Sequence, residues 1–260
     1  MNRIQSLCQR PFARRRTAYA RPARPYTCSS ARCFYFAPLH YEPNYAYPLV
    51  VWLHGSHNNE LQLKQIMPLV SMRNYVGAAP RGTFESEEDN EKDSGAGIRF
   101  CWRGDECSVQ HAENRLWECL DGARRRFNIA AERIFLAGLE CGGTMALRLA
   151  LRNPDQFAGA LSFGGAFPSG HSPLARLEAA RRLPLLIATN LDSQRYPQQR
   201  VCEHLRLFHS AGLSVMIRQY PGPDELTDLM LADMDRWIME RINQATAHPD
   251  GDLIEHRWVN

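Results

Sequence analysis

A carboxylate stands where strand gives way to helix in the stretch Ile134 to Leu151, at the centre of Gly138-Leu139-Glu140-Cys141-Gly142. Glu140 so placed has no proton to yield, but its oxygens can attack carbon to form an ester, accept hydrogen bonds, or bind a hard cation. Two more carboxylates follow apolar runs, Asp192 after Pro184–Thr189 and Asp224 in the turn Pro221-Gly222-Pro223 after Ser214–Gln219. Upstream, the run Leu49–Leu53 stops at His54-Gly55-Ser56-His57, a turn that delivers backbone N–H groups. Cys141, one residue past Glu140, sits at a helix start, where it is expected to be open to modification.

These groups need a scaffold that gathers them. Cys33–Phe36, Leu49–Leu53, Asn74–Ala79, Ile134–Leu136, Phe157–Phe163, Pro184–Thr189 and Ser214–Gln219 read as strands. Between them lie helical patterns over Glu60–Met67, ended by Pro68, then Val109–Phe127, Thr144–Leu151, Pro173–Arg182, residues 198–211 and Glu225–Ile242. Alternation of this kind predicts an α/β fold with a mostly parallel sheet and helices on both faces. Right-handed crossovers put every parallel strand's carboxyl end on one edge, so the HisGly turn, Glu140, Asp192 and Asp224 are expected to converge.

The 260 residues suffice for one large core, expected over residues 33–245. Residues 1–32 read as a basic, Pro-interrupted tail: Arg3, Arg10, Arg14, Arg15, Arg16, Arg21 and Arg24 occur with no acid before residue 25. That composition suits either a solvated tail or an organelle transit segment. Residues 246–260 read as a second tail. A net charge of +3 does not argue for specific nucleic-acid binding. No stretch approaches the roughly 18 apolar residues of a membrane-spanning helix. The eight cysteines form no Cys-x-x-Cys pair and no secretory signal precedes them, which points to reduced thiols and a cytoplasmic location. Cys101, Cys107 and His111 match no usual zinc spacing. The acidic run Glu85–Asp93 reads as a solvated loop, with cation binding as the sharper alternative.

Pro48-Leu49-Val50-Val51-Trp52-Leu53-His54-Gly55, Ala79-Pro80-Arg81-Gly82, Trp102, Phe135-Leu136-Ala137-Gly138, Gly142-Gly143-Thr144-Met145-Ala146-Leu147, Leu185-Leu186-Ile187-Ala188 and Tyr220-Pro221-Gly222 occur in unbroken order. Together they resemble the carboxylesterase/phospholipase family of α/β-hydrolases, the group that includes acyl-protein thioesterases. The resemblance implies a catalytic serine at a nucleophile elbow, an aspartate after a late strand and a histidine before the last helix. Matched residue by residue, those positions hold Glu140, Asp192 and Asp224, while the backbone N–H groups of Ser56 and Cys141 fall at the oxyanion-hole positions.

Without the serine and the histidine, the serine-hydrolase route is closed. Three readings follow. The chain binds a small acyl or ester-like ligand, or a protein partner, without catalysis. Alternatively, Glu140 is a carboxylate nucleophile, as in the aspartate-elbow dehalogenases and epoxide hydrolases of this fold, with His57 or His171 activating water. Thirdly, Glu140, Asp192 and Asp224 cluster and share either a proton or a Ca²⁺ or Mg²⁺ ion, since three like charges cannot all remain ionised. The first reading requires no cofactor and no resident metal.

Overall fold

The apolar runs pair side by side because each is buried on both faces. The computed structural model describes residues 33–86 and 98–247. Strand β2 (Tyr47–Leu53) is buried along its whole length. Its Leu49, Val51 and Leu53 enter one hydrophobic layer, while Val50 and Trp52 enter the other. That alternation follows from the two-residue period of a strand. Burying each such side chain contributes about 1.5–3 kcal/mol relative to exposure.

Among the described residues seven strands form one sheet. In chain order they are β1 (Cys33–Phe36), β2, β3 (Val76–Pro80), β6 (Ile129–Leu139), β7 (Gly159–Phe163), β8 (Leu185–Asn190) and β9 (Val215–Tyr220). Across the sheet they run β1-β3-β2-β6-β7-β8-β9. Only β1 is antiparallel, pairing with β3 from Cys33 opposite Pro80 to Phe36 opposite Gly77. The short strands β4 (Phe84–Glu85) and β5 (Phe100–Cys101) form a separate antiparallel pair, which two-residue runs with no periodicity gave no means of foreseeing.

Helices cover both faces. On one side lie α2 (Glu106–Arg126), α3 (Cys141–Arg152) and α5 (Gln198–Ala211), with the short α4 (Leu177–Ala180) beside them. On the other lie α1 (Gln62–Val70) and α6 (Asp228–Ala247). Helix α2 starts at Asp105, whose side chain accepts from the Ser108 amide at 2.9 Å. Arg148 of α3 is buried, and its guanidinium holds the following loop by donating to the Ser169 and Gly170 carbonyls at 2.6 and 3.0 Å.

Three expectations change. Pro68 lies inside α1 and does not end it. Its ring removes the bond to the Lys64 carbonyl, but both residues face solvent, so the helix continues with that carbonyl on its wet side. Helix α6 begins at Asp228, three residues later than the apolar pattern suggested, and runs to Ala247, past the expected boundary at 245. Most of the acidic loop and both expected tails fall outside the described residues, apart from Thr246 and Ala247. Among the described residues no helix is long and apolar enough to cross a membrane.

Candidate functional site

Strand β6 ends at Leu139 and helix α3 begins at Cys141, so the whole reversal falls on Glu140. Its backbone sits at φ 51°, ψ −118°, a left-handed conformation costing a non-glycine residue about 1–3 kcal/mol. Neighbouring hydrogen bonds hold it there: the Glu140 amide donates to Phe163 at 2.7 Å, and its carbonyl accepts from Thr144 at 3.0 Å. Gly142 lets helix and sheet meet, since a Cβ at that residue would lie 2.2 Å from the Leu53 carbonyl oxygen and 2.3 Å from that of His54. The elbow geometry is therefore intact around a glutamate.

The HisGly turn is fixed by buried polar groups. His54 Nδ1–H donates to the Gly55 carbonyl at 2.9 Å, and Nε2 accepts from the Gly82 amide at 2.9 Å. Only the neutral ring can do both. Burial drives the His54 pKa down to about 4. The Gln62 carboxamide oxygen accepts from the Trp52 indole at 2.8 Å and from the Gly55 amide at 3.1 Å, and the Trp102 indole donates to the His54 carbonyl at 3.1 Å. Behind the turn, Arg81 grips Glu60 through two bonds of 2.7 and 2.5 Å. Burial acts to raise the Glu60 pKa, but Arg81 outweighs it and the net direction is down.

This framework aims the Ser56 amide at Glu140, donating to Oε2 at 3.2 Å. The carboxylate thus takes up one of the two amides that the resemblance assigns to an oxyanion hole. The other oxygen, Oε1, is held in an ion pair by Arg195. Arg195 lies in the loop after β8, and nothing in the sequence separates it from the chain's other arginines. Cys141 lies alongside, its Sγ accepting from the Ser56 hydroxyl at 3.5 Å.

The three carboxylates do not form the expected cluster. Asp192 is exposed on the loop, and it does not line the cavity that Glu140 and Asp224 share. The chain turns tightly here, with the Ser193 amide donating to Asn190, so the buried side chain is that of Ser193. Asp224 accepts from the Gln194 and Arg195 amides at 2.9 and 3.2 Å. Burial acts to raise the Asp224 pKa, but the Ser193 hydroxyl, these amides and the Arg195 charge outweigh it and hold the group below the usual carboxylate value. Arg195 and backbone amides therefore do what a shared proton or a cation was expected to do. Among the described residues no three His, Cys, Asp or Glu side chains gather as metal ligands.

Neither candidate histidine lines this cavity. His57 is exposed and its Nδ1 bonds the Ser86 hydroxyl at 2.6 Å, while His171 Nδ1 faces Glu106 at 3.4 Å. The cavity is lined by Leu139, Glu140, Phe163, Asn190, Arg195 and Asp224 among others, with a volume of about 10 Å³. That is room for roughly one water.

Solved structures share this architecture. SOBER1 of Arabidopsis thaliana superposes with a TM-score of 0.62 at 21% identity, covering 76% of this chain and 100% of its own. A Bacillus cereus carboxylesterase gives 0.61 at 19% identity over 82% and 95% of the two chains. Zea mays acyl-protein thioesterase 2 gives 0.61 at 14% identity over 82% and 99%. By sequence, a rice (Oryza sativa subsp. japonica) protein described as a "probable carboxylesterase" is 25% identical over 230 residues, 80% of this chain and 94% of that one. The Esterase family profile matches residues 28–231, which contain the elbow, the HisGly turn and the Asp224 turn, and the chain belongs to that family, with the α/β-hydrolase fold.

Proposed function

We propose that this esterase-family protein has lost serine-hydrolase activity and serves as a binding protein for a small acyl or ester-like ligand. One observation carries the reading: both carboxylate oxygens of Glu140, at the nucleophile position, are already engaged, one by Arg195 and one by the Ser56 amide. The elbow presents no hydroxyl, Asp224 presents no imidazole, and the amide that would stabilise an oxyanion is satisfied from within the chain. A ligand carbonyl reaches that amide only by displacing Glu140, which requires Arg195 to swing out of a cavity of about 10 Å³. Arg195 is half exposed on its loop. The folded unit in this reading runs from residue 33 to the end of α6 at Ala247, with the basic residues 1–32 preceding it.

The test is turnover of short-chain aryl esters, thioesters and epoxides by wild type and Glu140→Gln, with and without Ca²⁺ or Mg²⁺, alongside a thermal-shift screen of acyl ligands. We expect no turnover in either protein and a raised melting temperature with at least one ligand class. Turnover that disappears in Glu140→Gln would instead assign a carboxylate-nucleophile hydrolase, and dependence on the added ion would assign metal-assisted hydrolysis.

A further inference from the structure

Far from the elbow, two thiols meet where the edge strand crosses a helix. Cys33 and Tyr35 alternate along β1 and so point to the same side, where both pack on the hydrophobic layer that contains Cys119 of α2. The Tyr35 hydroxyl donates to the Cys119 carbonyl at 3.3 Å. One helical turn further on, a Cβ at Gly122 would stand 2.0 Å from that hydroxyl oxygen, so strand and helix approach closely only because residue 122 is glycine. The Arg126 guanidinium covers the Tyr35 ring, 4.7 Å from its centroid. Within this junction the side chains of Cys33 and Cys119 are close enough to act on each other's ionisation, and both are free thiols.

We propose that Cys33 and Cys119 are a redox pair, which a hydroperoxide converts into a disulfide stapling β1 to α2. Cys33 is partly exposed and Cys119 fully buried, so Cys33 meets the oxidant and Cys119 resolves it. The Cys33 thiolate attacks a peroxide oxygen, the O–O bond breaks, and the sulfenic acid forms as the departing hydroxide takes up the proton Cys33 released. Cys119 sulfur then attacks Cys33 sulfur, the S–S bond forms and the S–O bond breaks, and hydroxide leaves with the Cys119 proton as a second water. Two thiols are oxidised and, for hydrogen peroxide, one molecule becomes two waters. The assignment of roles agrees with the local electrostatics. The neighbouring Cys119 side chain holds the Cys33 thiol below its ordinary pKa against the opposing effect of burial, while the same neighbour interaction followed by burial pushes Cys119 up.

Strand β1 suits this chemistry mechanically. It is four residues long, lies at the sheet edge and, among the described residues, is held in the sheet by β3 alone, so few backbone bonds oppose the adjustment that S–S geometry requires. The bond would close a long loop, from residue 33 to residue 119, which is the case in which a disulfide restricts the unfolded chain most.

The experiment treats the full chain with hydrogen peroxide, quenches it in acid, alkylates it in guanidinium and maps peptides by mass spectrometry without reduction. The expected product is one cross-linked pair, Cys33 with Cys119, 2 Da lighter than the two thiol peptides, reversed by dithiothreitol and absent from Cys33→Ser. The melting temperature should rise by roughly 5–10 °C on oxidation of wild type and not of Cys33→Ser. Cys33 and Cys119 recovered alkylated while Cys101 and Cys141 pair would overturn the proposal, as would sulfinic acid at Cys33 with Cys119 still alkylated.

Discussion

Protonating His54 should dismantle the turn that aims the Ser56 amide at Glu140. The neutral ring is fully enclosed, donating from Nδ1 to Gly55 and accepting at Nε2 from the Gly82 amide. A second proton would set Nε2–H against the Gly82 N–H and bury an uncompensated charge. In the unfolded chain His54 titrates near 6.5, whereas in the folded chain burial lowers it to about 4. Between those values the unfolded state binds more protons, so this contribution is complete above about pH 6.5 and is lost as pH falls towards 4. At 1.36 kcal/mol per pH unit, the gap amounts to about 3 kcal/mol. The assay is urea unfolding of wild type and His54→Gln at steps from pH 7 to pH 4.5. The stability difference should narrow steadily with acidification, because the variant has nothing to titrate at residue 54. In parallel, an NMR titration of folded wild type should show His54 unprotonated throughout that range. A His54 midpoint near 6.5 in the folded protein, or a stability difference independent of pH, would refute the reasoning.

Other perturbations test the site from different sides. The Glu140–Arg195 pair is half exposed on the arginine side, so a double-mutant cycle with Glu140→Gln and Arg195→Ala should give a coupling of about 0.5–1 kcal/mol. Urea unfolding should show it shrinking in 1 M salt, and zero coupling at low salt would remove the ion pair from the account. Gly142→Ala places a methyl group 2.2 Å from the Leu53 carbonyl oxygen and should cost roughly 1–3 kcal/mol or more, seen as a lower melting temperature. An unchanged melting temperature would mean that the elbow is not packed as described. Because Ser193, and not Asp192, is buried beside Asp224, Glu140→Ser/Ser193→Asp/Asp224→His should hydrolyse aryl acetates at least about tenfold faster than Glu140→Ser/Asp224→His. Equal rates would return the acid position to Asp192.

Much of this molecule is fixed by local sequence. Leu49–Leu53, Phe157–Phe163 and Pro184–Thr189 are apolar on both strand faces, so they had to be interior strands of a covered sheet. The Gly-x-Glu-x-Gly spacing made Glu140 the turning residue, because only the glycines permit the approach of helix to strand, and the fold places it there. What chain order could not decide was which side chains meet at the carboxyl edge. A rotation of one residue in the turn after β8 sends Asp192 to solvent and Ser193 inward, and no periodicity spans so short a turn. Pairing of Arg195 with Glu140 joins residues on separate strand–loop units, and charge alone gave Arg195 no distinction from other surface arginines. The sequence determined that a carboxylate replaces the nucleophile. Tertiary structure decided that this carboxylate is neutralised by a guanidinium and seated on the Ser56 amide, because partner choice depends on where separate loops converge in space.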